Sequence, residues 1–140
     1  MAAVIPTASK AMILEDFLVA DRTFTYHLYT AIDPALDTST ALEDLTEVSG
    51  DATYAAQDVI PADWTFETSG TRARATVGHA GRLIFNLTDA VSILGYYITW
   101  NDGIDDRLVL VEQYTSAKPQ DANSTHEIVA TLDFGALSYS

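Results

Sequence analysis

The sequence predicts a mainly β protein: an antiparallel β-sandwich or jelly roll of seven to eight strands behind a short N-terminal α-helix. Three observations carry this reading. Apolar and polar residues alternate at period two in several short runs, such as Thr23-Phe24-Thr25-Tyr26-His27-Leu28-Tyr29-Thr30. Turn-forming pairs and triplets (Asp33-Pro34, Gly50-Asp51, Ser69-Gly70, Asn101-Asp102-Gly103) cut the chain at short spacing. Between them no helical period survives. At 140 residues and 48% hydrophobic the chain reads as a single domain, with 1–21 as arm and helix and 22–137 as the sandwich.

The helix is expected over 9–19, where Ser9 can cap and Ile13, Leu14, Phe17 and Leu18 share a face. The first strand follows at Thr23, with Phe24, Tyr26 and Leu28 inward and the threonines, His27 and Tyr29 outward. Residues 36–48 show no clean period and are expected as a loop with an edge strand. A strand over 54–60 is stopped by Pro61 ahead of Trp64-Thr65-Phe66. Strands over 72–77 and 82–87 alternate cleanly, the second placing Leu83, Phe85 and Leu87 inward. Runs 93–100 and 108–114 are apolar on both faces, as covered central strands would be, and Asn101-Asp102-Gly103 joins them as a hairpin. A last strand over 127–134 turns Ile128, Ala130, Leu132 and Phe134 to one side.

Charge is the strongest compositional signal. No Lys or Arg occurs between Arg22 and Arg72, while nine acids do: Asp33, Asp37, Glu43, Asp44, Glu47, Asp51, Asp58, Asp63 and Glu67. The net charge of −13 repels phosphate backbones and anionic headgroups, so neither nucleic acid nor membrane is expected as partner. Glu15 and Asp16 interrupt the first apolar stretch, and 91–100 is about half a bilayer span, which points to a chain that is not secreted. Absence of cysteine excludes disulfides and thiolate metal ligands.

Catalytic signatures do not emerge, and the chain is read as a non-enzyme without cofactor or metal. His27, His79 and His126 are far apart, with no ligand spacing. The acids of 101–106 lack the spacing of a calcium loop and read as solvated turn residues. Trp64, Tyr96, Tyr97 and Trp100 offer a sugar-stacking platform, but Tyr96 and Trp100 share parity with Leu94 and Ile98, the pattern of a core face. Arg72, Arg74 and Arg82 follow the acidic segment directly. They pair either with acids of their own chain or, head to tail, with Asp33, Glu43, Asp44 and Glu47 of a neighbouring copy.

The order of elements resembles a family of small tailed-phage virion proteins. The resemblance rests on Tyr26-His27-Leu28-Tyr29-Thr30 followed by Asp33-Pro34, Leu45-Thr46-Glu47, Tyr54-Ala55-Ala56-Gln57, Trp64-Thr65-Phe66, Phe85, Gly95-Tyr96-Tyr97-Ile98-Thr99 and a Leu-rich strand at 108–111. Where relatives carry a basic residue in the Tyr-x-x-Gln strand, Ala55 and Ala56 stand here. The resemblance implies a non-enzymatic virion component, assembled in the host cytoplasm. A capsid decoration or cement protein that binds the major capsid protein and self-associates, with a trimer favoured, is the first expectation. A tail or neck component, or a carbohydrate-binding sandwich in host recognition, is the alternative.

Overall fold

A computed structural model describes residues 3–4, 9, 22–69, 72–77, 82–134 and 138–139. Apart from Ser9, the expected N-terminal helix lies outside the described residues. The protein is mainly β and antiparallel, and its strands group into two compact units, each assembled from separated stretches of chain.

The larger unit takes 23–58 and 84–127. Its sheet centres on β2 (Phe24–Ile32) and β8 (Val91–Asn101), paired antiparallel from Phe24↔Trp100 to Tyr29↔Gly95. The other edge of β2 receives β3 (Leu45–Glu47), through Tyr29↔Glu47 and Ile32↔Leu45, and also β4 (Gln57–Val59). β9 (Asp106–Gln120) closes the other side of β8. As the alternation requires, Phe24, Tyr26 and Leu28 are all but inaccessible, at 0%, 1% and 0% exposure. Tyr29 departs from the outward expectation and is fully buried. Its cross-strand partner is Gly95, whose missing side chain leaves room for the phenol to reach the Glu112 carbonyl at 3.2 Å.

β8 is central, as its two apolar faces predict, but its most buried residues are Ile93, Tyr97, Ile98 and Thr99. Tyr96 and Leu94, expected as core, are only half-buried. β9 contradicts its expectation more plainly. Among the described residues it ends the sheet rather than lying inside it, and Leu108 and Leu110 are half-buried. β9 also runs on to Gln120, and its 15 residues face the 11 of β8. The surplus falls at two places: between Gln113 and Lys118, opposite Ile93 and Gly95, and at Val109, between the partners of Thr99 and Ile98. These are bulges, and each changes which face the following residues take.

Two 3₁₀ turns enter strands by the same device. In Leu42–Asp44 the Asp44 carboxylate accepts the Ala41 N–H at 2.9 Å, and in Pro61–Asp63 Asp63 accepts that of Ile60 at 3.0 Å. Each feeds a strand at the next residue. The expected strand over 54–60 shrinks to β4, because Tyr54 belongs to the Asp51 turn described below.

The smaller unit takes 1–22, 59–83 and 128–140. It contains the sheet β11–β6–β5, made of β5 (Trp64–Ser69), β6 (Arg72–Val77) and β11 (Thr131–Phe134), and the short pair β1 (Ala3–Val4) with β12 (Ser138–Tyr139). Phe66, Ala75 and Leu132 form one row across the three strands, and Glu67, Arg74 and Asp133 the next. β7 (Arg82–Leu87) and β10 (Ser124–Val129) pair with each other and fall mostly in the larger unit, where Phe85, Leu87 and His126 are buried. β10 stops at Val129, so the single closing strand expected over 127–134 is two strands flanking Ala130.

Candidate functional site

The densest polar constellation sits on the β2–β3–β8 sheet. Cross-strand pairing sets His27 opposite Tyr97 and Thr25 opposite Thr99, while Glu47 stands opposite Tyr29 on the other edge of β2. His27 Nδ1 lies 2.8 Å from Glu47 Oε1, and Nε2 lies 2.8 Å from Thr99 Oγ1. A carboxylate only accepts, so Nδ1 carries the proton and the Thr99 hydroxyl donates to Nε2 when the ring is neutral. Tyr54 O–H donates to the same Glu47 oxygen at 2.8 Å and accepts the Leu28 N–H at 3.0 Å. The imidazole stacks on Tyr97 with centroids 4.6 Å apart and planes 9° from parallel. Burial, with the Glu47 charge adding to it, pushes the Tyr97 phenol well above its ordinary pKa, and burial does the same to Tyr54.

Hydroxyl, imidazole and carboxylate in series have the order of nucleophile, base and orienting acid. Access decides the matter. Thr99 is 5% exposed in the central strand, so a substrate cannot reach Oγ1. The network instead locks three strands and the Tyr54 turn in one register. The parity of His27 with Thr25 and Tyr29 was the only sign of it in the sequence; Glu47, Tyr54 and Thr99 become partners only once the register is known.

A second constellation centres on Asp51. Its carboxylate accepts the backbone N–H groups of Thr53, Tyr54, Thr88 and Asp89 at 2.8 to 3.1 Å, so one side chain ties two turns. These donors, that of Asp89 foremost, hold its pKa far below the carboxylate range. A groove of about 310 Å³ opens beside it, between Thr30, Val48, Ser49 and Asp89 to Val91, but the carboxylate is already committed to the backbone.

The residues expected at assembly contacts divide between the units. Glu47 is held internally by His27 and Tyr54. Asp44 caps its own turn. Asp33 is exposed and its N–H donates to the Asp44 carbonyl, and Glu43 is exposed. Arg72, Arg74 and Arg82 belong to the smaller unit. Arg74 stands in backbone register between Glu67 and Asp133. Arg82 opens β7 and is exposed.

The 101–106 turn closes the β8–β9 hairpin, with Gly103 at φ +95°. Asp102 accepts the N–H groups of Ile104 and Asp105 and the Nε–H of Arg107 at 2.7 Å; the Asp105 N–H first, then Arg107, then the Ile104 N–H, hold its pKa at about 2. Among the described residues no three acidic or histidine side chains converge as metal ligands. The aromatic platform is not assembled either, since Trp64 and Tyr97 are buried, at 6% and 4% exposure. Among the described residues no helix is long and apolar enough to cross a membrane. Comparisons with protein-family models, with curated proteins and with solved structures return no match.

Proposed function

We propose that the chain is a structural protein of a phage virion, a capsid decoration protein that binds the major capsid protein and works in repeated copies, with a trimer as the favoured assembly. One observation carries the reading beyond the resemblance: the polar constellations of the larger unit fix backbone geometry. Glu47 and His27 lock strands, and Asp44, Asp51 and Asp102 hold turns. Such use of carboxylates suits a scaffold that resists load, whereas an enzyme needs charged groups that are open to substrate. An outer surface of this acidity also keeps particles apart and does not trap packaged DNA. The finer architecture, two sheets packed as a sandwich or jelly roll with the N-terminal helix against them, belongs to the same proposal.

Immuno-electron microscopy of intact virions tests it. Gold label distributed over the head is the expected result. Label confined to the tail or neck would move the protein to that part of the particle, and unlabelled virions would overturn the reading.

A further inference from the structure

We propose that the free edge of β9 over residues 108–111 binds a second copy of this chain, antiparallel and strand to strand, across a two-fold axis at Leu110. Among the described residues β9 pairs only with β8, so its other edge offers backbone donors and acceptors. Edge strands are ordinarily blunted by bulges, charges or proline. The distal half of β9 has all three: the surplus residues between Gln113 and Lys118, Lys118 itself and Pro119. Residues 108–111 have no charge or proline. Leu108, Val109, Leu110 and Val111 are half-buried and line a groove of about 260 Å³ with Leu36, Asp37 and Thr40.

Charge selects the occupant. Two chains of net charge −13 repel, so they meet where the field is locally balanced. Along its own strand β9 is such a place, with Asp106 and Glu112 against Arg107 and Lys118, while Asp37 lines the groove and Asp102 pairs with Arg107. The pattern is also self-complementary. Arg107 and Glu112 are five residues apart, which in a regular strand puts them on opposite faces. The surplus residue at Val109 brings them to one face: Arg107 pairs with Trp100 and Glu112 with Tyr96, four apart on β8. A second β9 related by a two-fold at Leu110 then meets Leu108 with Val111 and Arg107 with Glu112, at both ends of the contact. Val109 stays the surplus residue in each copy. The Arg107 side chain is 62% exposed, and one of its N–H donors is engaged by Asp102.

This two-fold contact joins copies in pairs and is separate from whatever contact closes the trimer of the virion reading, which rests on a capsid partner and assigns nothing to this edge. Sedimentation of the full chain in about 0.15 M salt provides the test. Arg107→Glu and Glu112→Arg each set like charges face to face and are expected to weaken self-association about tenfold or more. The double reversal R107E/E112R restores opposition and is expected to return it to near the wild-type value. In a chain without cysteine, Leu110→Cys places two thiols across the axis within disulfide reach, and mild oxidation is expected to give a covalent pair. A wild-type chain that stays monomeric at tens of micromolar and gives no L110C cross-link would overturn the proposal. So would a folded double variant that associates no better than the single ones. Should a single variant fail to fold, the cross-link decides. Unlabelled virions alongside an intact β9 pair would remove the virion reading and leave this one standing.

Discussion

Glu47 shows how much one side chain decides here. It accepts from His27 on β2 and from Tyr54 in the turn, so its loss orphans two donors in a half-buried setting. Glu47→Ala is expected to lower unfolding free energy by about 2 kcal/mol, read from urea melts. Tyr26 presents the opposite case. Its hydroxyl is buried with no hydrogen-bond partner among the described residues, and its ring centroid lies 5.9 Å from that of Tyr96. Tyr26→Phe removes the desolvation cost while keeping the ring, so a gain of about 1 kcal/mol is expected, and a loss would mean the hydroxyl has a partner. His126 governs the acid limb. Burial first, and then the charge of Lys118, lowers its pKa below the ordinary 6.5; its Nε2 meets the Tyr114 hydroxyl at 2.8 Å, and burial pushes that phenol up to about 12. A base with a lowered folded pKa binds its proton more readily in the unfolded chain. The stability it contributes is therefore complete above pH 6.5 and drains away as pH falls through the lowered value. Asp51 and Asp102 add a second loss that begins below their ordinary 3.8. His126→Gln should abolish the upper step and keep the lower one in urea midpoints measured against pH.

Among elements, β8 and β9 separate what pattern reveals from what it hides. Period-two alternation marks β2 and β7 because each has one face on the core, and Gly103 reports the hairpin because a positive φ favours glycine. Bulges leave no such mark. A surplus residue shifts parity for everything beyond it, so Leu108 and Leu110 share a parity in the sequence that Val109 breaks in the sheet. Apolar content likewise cannot tell a covered strand from a sticky edge, and by pattern alone β9 has the look of a central strand. The site was hidden for a related reason. Glu47 and Thr99 are 52 residues apart, and only the registers of β3 and β8 on β2 bring both to His27. The close approach of β9 also explains Gly95. A Cβ there would fall on the Glu112 carbonyl oxygen and crowd the Tyr29 hydroxyl at 2.9 Å, so backbone would have to move. Gly95→Ala is expected to cost about 3 kcal/mol, seen as a lower urea midpoint with the m-value unchanged.

For the whole molecule the deciding quantity is the net charge of −13 set against short-range contacts. Most charges of one copy lie farther from those of the other than the screening length of about 8 Å at 0.15 M salt. At 0.01 M salt the screening length is about 30 Å and much of the mutual repulsion survives; at 0.15 M it is about 8 Å and the repulsion is largely gone. An Arg107–Glu112 contact at about 4 Å lies well inside both lengths and loses far less. Association through β9 is therefore expected to tighten about tenfold or more as salt rises from 0.01 to 0.15 M. Head-to-tail attraction between the acids of 33–67 and Arg72, Arg74 and Arg82 makes the opposite forecast, because it draws on charge polarity over long range and weakens as salt is added. Sedimentation equilibrium across that range separates the two by the sign of the slope. Tightening assigns self-association to the β9 edge, while weakening assigns it to the arginines and removes the edge as the main contact.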